Sequence, residues 1–456
     1  MRIIIVGGGK VGQATAKHLS GEGHDIVLVD RNYDRIQRIS DKLDIMCIKG
    51  NGLRTSVLIE AGVHDADLII ATTPSDEVNM LCCLTAKRLG AKHTIARIRD
   101  PEYSEELATL KKEMGLDMVI NPEHEAAAEI ARVLRFPNAI NVEPFVDGRV
   151  EMVSFRVKSN GILDGQPISS IMSKIKLNII FCAVVHDGEV TIPNGNYIPQ
   201  EGDLAYIMGA PTEIYKFFKY IKRNTSSAKS TFLIGAGRIA YYLCKLLSDV
   251  DMSVKLIEND TEKCYEFNEL FPNCIVINGD GSDAEILEEE DIASYSSVVT
   301  ITGRDEENLL IALYASKLGV PKVIAKINRT NYDEIINGFG IDTIINPKNI
   351  TAVQIIGFVR ALNNSLGYAN IESLYHIVDG KAEVIEFLAN SSTLNLGIPF
   401  KDIYFKKNFI VAAIERHGQV IIPSGSDYIL EGDSVVIVSN NSKVTDLNDV
   451  FENGGH

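Results

Sequence analysis

The chain has 456 residues, 45% of them apolar and 23% charged, with a formal net charge of −16 and a sequence pI near 5.1. This is enough apolar material for several cores, and it is not the composition of a disordered chain. The acidic excess excludes a general nucleic-acid surface, which needs clustered Lys and Arg to displace counterions.

No apolar run approaches the roughly 18–20 residues that span a bilayer. The N-terminus enters a strand with no cleavable leader ahead of it, so no direct membrane span and a cytoplasmic place are expected. Seven cysteines lie scattered in apolar stretches without C-x-x-C spacing, and nine histidines form no H-x-x-x-H cluster. Reduced core thiols and no metal centre are the expectation.

From the N-terminus, β-branched runs alternate with helix-period segments, as in an open parallel sheet covered by helices on both faces. Strands are predicted over 2–6, 26–29, 45–48, 68–71, 94–98 and 118–120, and helices over 12–21, 31–42, 55–61, 77–89 and 101–113. After Asn121-Pro122 an amphipathic helix over 123–135 carries Ala127, Ile130, Ala131 and Leu134 on one face, which needs a partner. Turn signals then crowd in, at Gly148, Gly165-Gln166-Pro167, Asp187-Gly188, Pro193-Asn194-Gly195 and Glu201-Gly202-Asp203. They predict a small module of antiparallel strands ending near Tyr220. The polar stretch 223–230 reads as a linker.

Beyond it the whole arrangement recurs: a doubly wound unit to Asn346-Pro347, a helix over 351–362 and a β-rich module from Glu372. The fold class is therefore α/β, two tandem Rossmann-like doubly wound parallel sheets, each followed by a small α+β C-lobe. The expected boundaries are 1–136, 137–222, 229–364 and 365–456.

Landmarks keep step across the repeat. Gly7-Gly8-Gly9-Lys10-Val11-Gly12 returns 228 residues later as Gly235-Ala236-Gly237-Arg238-Ile239-Ala240. Asp30 returns as Glu258, Gly50-Asn51-Gly52 as Gly279-Asp280-Gly281, Asp76-Glu77-Val78-Asn79 as Asp305-Glu306-Glu307-Asn308, and Arg97 as Lys326. In a G-x-G-x-x-G turn between strand and helix, the first glycine allows the tight turn, the second lets backbone approach a pyrophosphate, and the third allows close helix packing. Free N–H groups at the helix start then face the phosphates. Asp30 and Glu258 are placed to accept from ribose hydroxyls, which favours NAD over NADP, although Arg31 next to Asp30 softens that exclusion.

Asp280 can accept from an adenine amino group, whereas Asn51 can accept or donate. Thr72, Thr73 and Pro74, with Thr300 and Thr302 as counterparts, follow the fourth strand beside the switch point, where they serve either a ligand or the turn itself. Lys10, Arg238, Arg97 and Lys326 have two readings, solvent-facing cations or partners of a terminal phosphate. Asp76 and Asp305 are expected to cap helices. Neither unit carries a recurring acid–base pair near a nicotinamide, so catalytic residues are expected to be absent. An NAD-dependent oxidoreductase remains the alternative, separable by substrate-dependent hydride transfer, and so does a soluble nucleotide sensor with a non-channel partner.

With these paired loops, acids and E-G-D turns, the chain resembles the TrkA family of peripheral Trk potassium-uptake proteins, built of two RCK (KTN) units. The resemblance implies a regulator that assembles as a homo-oligomeric, tetrameric ring beneath an integral-membrane, TrkH-like potassium transporter subunit. Its place would be peripheral to the inner face of the cell membrane. It also implies NAD(H), and ATP or ADP, in the Rossmann lobes. The family's contacts fall on Gly7, Gly8, Gly9, Lys10, Val11, Asp30, Asn51, Thr73, Pro74 and Arg97. A second set falls on Gly235, Ala236, Gly237, Arg238, Ile239, Glu258, Asp280, Thr302 and Lys326. Ala240 and Lys326 depart from the pattern, leaving the second ligand open, and the helices over 123–135 and 351–362 are expected to supply contact surface in the ring.

Overall fold

The computed structural model describes all residues except 105, 137, 160, 222–228, 249, 251, 329–340, 342, 365–369, 378–380, 441–443 and 453–456. Most of the stretch read as a linker, 223–230, therefore lies outside the described residues. The first lobe runs β1 (Arg2–Val6), α1 (Lys10–Gly21), β2 (Asp25–Asp30), α2 (Tyr33–Ser40), β3 (Met46–Lys49), α3 (Thr55–Glu60), β4 (Leu68–Ala71), α4 (Asp76–Leu89), β5 (His93–Arg97), α5 (Pro101–Ser104), α6 (Leu107–Met114) and β6 (Met118–Ile120). Its six strands are ordered β3-β2-β1-β4-β5-β6, all parallel. The near-continuous apolar strands follow from burial on both faces: β4 is buried at every position and β1 at all but its first. The single helix expected over 101–113 is two short ones, α5 and α6.

α7 (Pro122–Arg135) leads into β7 (Asn141–Phe145), β8 (Val150–Arg156), α8 (Ile168–Ile175), β9 (Ile179–His186), β10 (Glu189–Thr191), β11 (Leu204–Gly209) and α9 (Pro211–Tyr220). This module is an antiparallel sheet ordered β7-β8-β11-β9-β10. The second copy follows as β12 (Ser230–Ile234), α10 (Arg238–Leu247), β13 (Ser253–Glu258), α11 (Thr261–Leu270), β14 (Cys274–Asn278), α12 (Ala284–Glu289), β15 (Ser297–Thr300), α13 (Asp305–Lys317), β16 (Val323–Lys326) and β17 (Thr343–Ile345). After α14 (Pro347–Asn364) come β18 (Asn370–Ile377), β19 (Ala382–Leu388), β20 (Phe409–Arg416), β21 (Gln419–Ile421) and β22 (Ser434–Ser439). Both sheet orders are reproduced, β14-β13-β12-β15-β16-β17 and β18-β19-β22-β20-β21.

By its internal contacts the chain divides into two compact units, Met1–Ile130 with Ser230–Ile356, and Ala131–Lys229 with Gly357–His456. Like therefore packs with like. In the first unit the two Rossmann lobes meet at Tyr242, whose hydroxyl donates to the Arg99 carbonyl (2.9 Å) and accepts from Asn121 Nδ2 (2.9 Å), with the His124 ring edge-on to it.

In the second unit the two antiparallel sheets share one core. Phe145, Val150, Met152 and Met208 pack in the same cluster as Ile377, Val384, Val436 and Val438. Asn141 Nδ2 donates to the Tyr375 hydroxyl (2.6 Å), and Arg149 pairs with Glu415 (2.8 Å). The apolar stripes of α7 and α14 are already covered inside the chain: Ala127, Ile130, Leu134, Ile355, Ile356 and Val359 are fully buried. Those side chains are therefore not a surface for a ring, contrary to the sequence expectation.

All seven cysteines are free thiols. Among the described residues no helix is long and apolar enough to cross a membrane.

Candidate nucleotide-binding sites

Each glycine loop sits where β1 or β12 hands over to α1 or α10, at the carboxyl edge of its parallel sheet. Gly7 and Gly235 both hold φ +105, a conformation L side chains avoid, and a Cβ on Gly7 would stand 2.8 Å from the Thr72 carbonyl carbon. Gly9 and Gly237 are the helix N-caps, without any side-chain cap, and a Cβ on either would meet nothing within 4 Å. The first-turn N–H groups of both helices thus lie beside open space, the arrangement that receives phosphate.

The third position separates the copies. A Cβ on Gly12 would stand 2.0 Å from Gly7 O and 3.0 Å from Thr72 Oγ1, whereas Ala240 is accommodated, fully buried, where Ile301 stands in place of Thr72.

The two acids close the loops from below. Asp30, largely buried, accepts from Gly8 N at 2.7 Å and from Asn32 N at 2.8 Å. Glu258 repeats this with Ala236 N at 2.7 Å and Asp260 N at 3.0 Å. Among the described residues only the first acid has a cation on it, Arg35 from α2, whose Nη1 lies 2.9 Å from Asp30 Oδ2. Lys263, the counterpart of Arg35, lies instead 3.9 Å from Asp260.

In the loops after β3 and β14 the residues are engaged differently. Asn51 Oδ1 accepts from Arg31 Nη2 (2.6 Å) and Leu53 N (3.1 Å), so what it still offers a base is its Nδ2 donor. Asp280 accepts from the backbone and hydroxyl of Ser282, and these bonds hold its carboxyl below the usual range. Beside it a cleft of ≈ 470 Å³ is lined by Ser282, Arg304, Glu307, Leu310 and Tyr314, among others.

Two asparagines, noticed in the sequence only as part of a recurring segment, organise the switch-point loops. Asn79 is fully buried. Its Oδ1 accepts from Thr73 N and Oγ1 (2.7 Å each), and its Nδ2 donates to the carbonyls of Thr73 (3.2 Å) and Arg97 (2.8 Å). Asn308 does the same for Thr302 N (2.8 Å), Thr302 O (3.3 Å) and Lys326 O (2.9 Å). Thr72 is buried, and its hydroxyl is spent on Gly7 O at 3.1 Å. The register sets Ala71 opposite Val6 and Thr300 opposite Ile234, so Thr300 matches Ala71 and only Thr302 is a counterpart in this turn, to Thr73.

The expected caps are also reassigned. Ser75, not Asp76, caps α4 by accepting from Val78 N. Asp76 is buried and ties down the turn after β5 through the backbone N–H groups of Arg99 (2.7 Å) and Asp100 (2.9 Å). Asp305 likewise accepts from Asn328 Nδ2 at 2.9 Å. Asp76 is drawn inward because the turn beside it has orphan backbone donors to satisfy.

Arg97 Nη2 donates to Thr73 O at 2.8 Å, and Lys326 Nζ to Ile301 O at 3.4 Å, next to Pro74 and Thr302 respectively. Burial, above all, pushes both cations' pKa values down; neighbouring positive charges add to it, while Glu123 opposes it for both cations, with Asp76 for Arg97 and Asp305 for Lys326. Among the positive charges is Arg238 for Arg97, and Lys10 for Lys326. Each glycine loop thus sets its cation toward the other lobe, and Arg238 also lies 3.8 Å from Asp100. Val11 and Ile239 are buried and anchor the two helices to their sheets.

Fold and sites together define a protein with two tandem Rossmann-type nucleotide-binding lobes, each followed by a small β module. The TrkA-N domain family matches residues 3–122 and again 231–347, and the TrkA-C domain family matches residues 152–222. The chain is 32% identical over 460 residues to the Trk system potassium uptake protein TrkA homolog 2 of Methanosarcina mazei, covering 99% of this chain and 100% of that one. It is also 32% identical to the Trk system potassium uptake protein TrkA of Vibrio alginolyticus, covering 99% of each. The GsuK channel bound to NAD superposes with a TM-score of 0.62 at 18% identity, over 96% of this chain and 76% of the channel chain. The chain belongs to the TrkA family.

Proposed function

We propose that this chain is the nucleotide-sensing regulatory subunit of a potassium uptake system. It binds NAD(H), and ATP or ADP at one or both Rossmann lobes. As a ring of four chains it docks on the inner face of the cell membrane against a TrkH-like potassium transporter and gates it, without catalysing a reaction. The observation that carries this reading is the pair of glycine loops at the carboxyl edges of the two sheets, each with an uncapped helix start beside open space and an acid closing the loop. A nucleotide that binds one arrangement of the lobes better than another shifts their equilibrium by that difference in affinity, which is all a gating device requires. The names of the relatives, potassium uptake proteins, and of the NAD-bound channel support the same conclusion.

The test uses Gly9→Asp and Gly237→Asp. Each places a carboxylate where phosphate would lie, at a position with open space, so neither disturbs packing. Calorimetry with NADH and ATP should show one class of site lost in each variant, and potassium flux in cells carrying the transporter should lose its nucleotide response in at least one. Unchanged binding in both variants, or steady NADH oxidation with a small carbonyl substrate, would count against this function.

A further inference from the structure

The ribose ends of the two sites carry opposite charge. At the first, Asp30 is paired with Arg35 at 2.9 Å, and Arg31 reaches from the same turn to Asn51 at 2.6 Å. The side chain of Arg35 also lies across the glycine loop, its Cδ 3.3 Å from where a Cβ on Gly8 would stand. Counting Asp30, Arg31 and Arg35, the ensemble is net positive. At the second, Asn259 replaces Arg31, the Glu258 carboxylate accepts from the backbone N–H groups of Ala236 and Asp260, and Lys263 turns to Asp260. Counting Glu258, Asp260 and Lys263, that ensemble is net negative.

The acid after the second strand excludes a ribose 2′-phosphate by charge, and a nearby arginine accommodates one. The first site holds both devices, with the acid already neutralised. Arginine's planar fork is suited to bidentate phosphate recognition, and two of them flank this ribose position.

We propose that the first lobe accepts adenine dinucleotides phosphorylated on the ribose, NADP(H), as well as NAD(H), with Arg31 and Arg35 as the residues that receive the 2′-phosphate, while the second lobe rejects them. This rests on the nucleotide-site reading above. It revises the preference for NAD that the sequence alone suggested at Asp30, because that preference was read without the Arg35 ion pair.

The full-length protein is titrated with NADH and with NADPH in two backgrounds, Gly237→Asp, which leaves the first site open, and Gly9→Asp, which leaves the second. In the first background NADPH is expected to bind within about tenfold of NADH, and in the second at least about 100-fold more weakly. Adding Arg31→Ala and Arg35→Ala to the first background should lower the ratio of NADPH to NADH affinity at least about tenfold, and Arg35→Lys should restore part of it, which separates loss of charge from loss of fold. NADPH rejected equally by both sites, or an affinity ratio indifferent to the two arginines, overturns the proposal. If NADH itself binds in neither background nor in the wild type, the nucleotide-site reading falls and takes this one with it.

Discussion

His186 Nδ1 lies 2.6 Å from Asp203 Oδ1, at the place where the second module sets Arg416 against Asp433 at 2.7 Å. Both aspartates are buried, and both hold the turn that precedes them, Asp203 through Gln200 N and Asp433 through Leu430 N, at 2.9 and 2.7 Å. One copy thus uses a permanent cation and the other a titratable one. The hydrogen bond and charge of Asp203 raise the His186 pKa above its ordinary 6.5, and Asp187, 3.6 Å from Nε2, adds to it. A raised cationic pKa stabilises the folded state in full below the unfolded value, and that contribution is lost as pH rises through the folded value. The first module should therefore loosen above neutral pH. Protection factors of the amides in residues 197–203, corrected for the base-catalysed rise in intrinsic exchange, should fall between pH 6 and 8.5 in the wild type and stay flat in His186→Arg.

Glu383 and Arg360 form a buried pair with bonds of 3.0 and 3.1 Å, and His376 stands 3.4 Å from the same carboxylate. Burial pushes the Glu383 pKa up, but His376 and Arg360 outweigh it and hold the carboxyl at about 2. Its stabilisation is present above the unfolded value of 4.5 and is lost as pH falls toward 2. Arg360→Met leaves a buried carboxylate short of its cation and should cost about 3–5 kcal/mol. The acid-unfolding midpoint should move to higher pH in that variant. The equivalent pair in the first module, Arg135 with Glu151, has an exposed arginine, and there burial prevails and raises the Glu151 pKa. Arg135→Met should therefore cost less.

At the first proposed nucleotide site, Asp30→Ala removes the acceptor that closes the glycine loop and that we propose receives the ribose hydroxyls. A loss of about 1.5–3 kcal/mol in NADH affinity is expected, the range for hydrogen bonds to a charged group. Calorimetry on Asp30→Ala in the Gly237→Asp background measures it directly.

Asn79→Ala should be costly in a different currency. It orphans the Thr73 N–H and the Arg97 carbonyl, at about 1–3 kcal/mol for each buried group left unpaired, and it releases the turn that carries Thr73 and Pro74. Lower thermal stability together with weaker nucleotide binding is expected, whereas Asn79→Asp, which keeps the acceptor, should restore part of both.

The parts of this molecule that were legible in the sequence are those whose chemistry is local. A strand, a glycine turn and a helix start lie within a dozen residues around Gly7 and again around Gly235, so period and turn chemistry suffice to place them. Asp30 is readable because it ends the next strand. Arg35 was not, because on a short helix beside solvent it looks like any surface arginine, and only the folded chain brings it onto Asp30. Asn79 and Asn308 were visible as a recurrence but not as clamps, since their bonds run to Arg97 and Lys326 on a different strand. The sharing of one core by the two β modules was out of reach for the same reason: Asn141 and Tyr375 lie 234 residues apart, and no local pattern records their pairing.

The last expectation concerns communication between the sites. Tyr242, on the helix that starts at the second glycine loop, binds Asn121 and the carbonyl of Arg99, and Arg99 in turn is held by Asp76 at the end of the first lobe's switch-point loop. Ligand-induced movement of either loop therefore strains bonds that end in the other lobe. If this path couples the sites, NADH at one must change ATP affinity at the other by the same factor in both directions, since linkage is reciprocal. Tyr242→Phe keeps the ring packing against His124 and removes both hydrogen bonds, at about 0.5–1.5 kcal/mol for each. The coupling factor, measured by NADH titration with and without saturating ATP and the reverse, should fall toward one in this variant while the separate affinities change less. A coupling factor that survives Tyr242→Phe intact would place the communication elsewhere in the lobe interface.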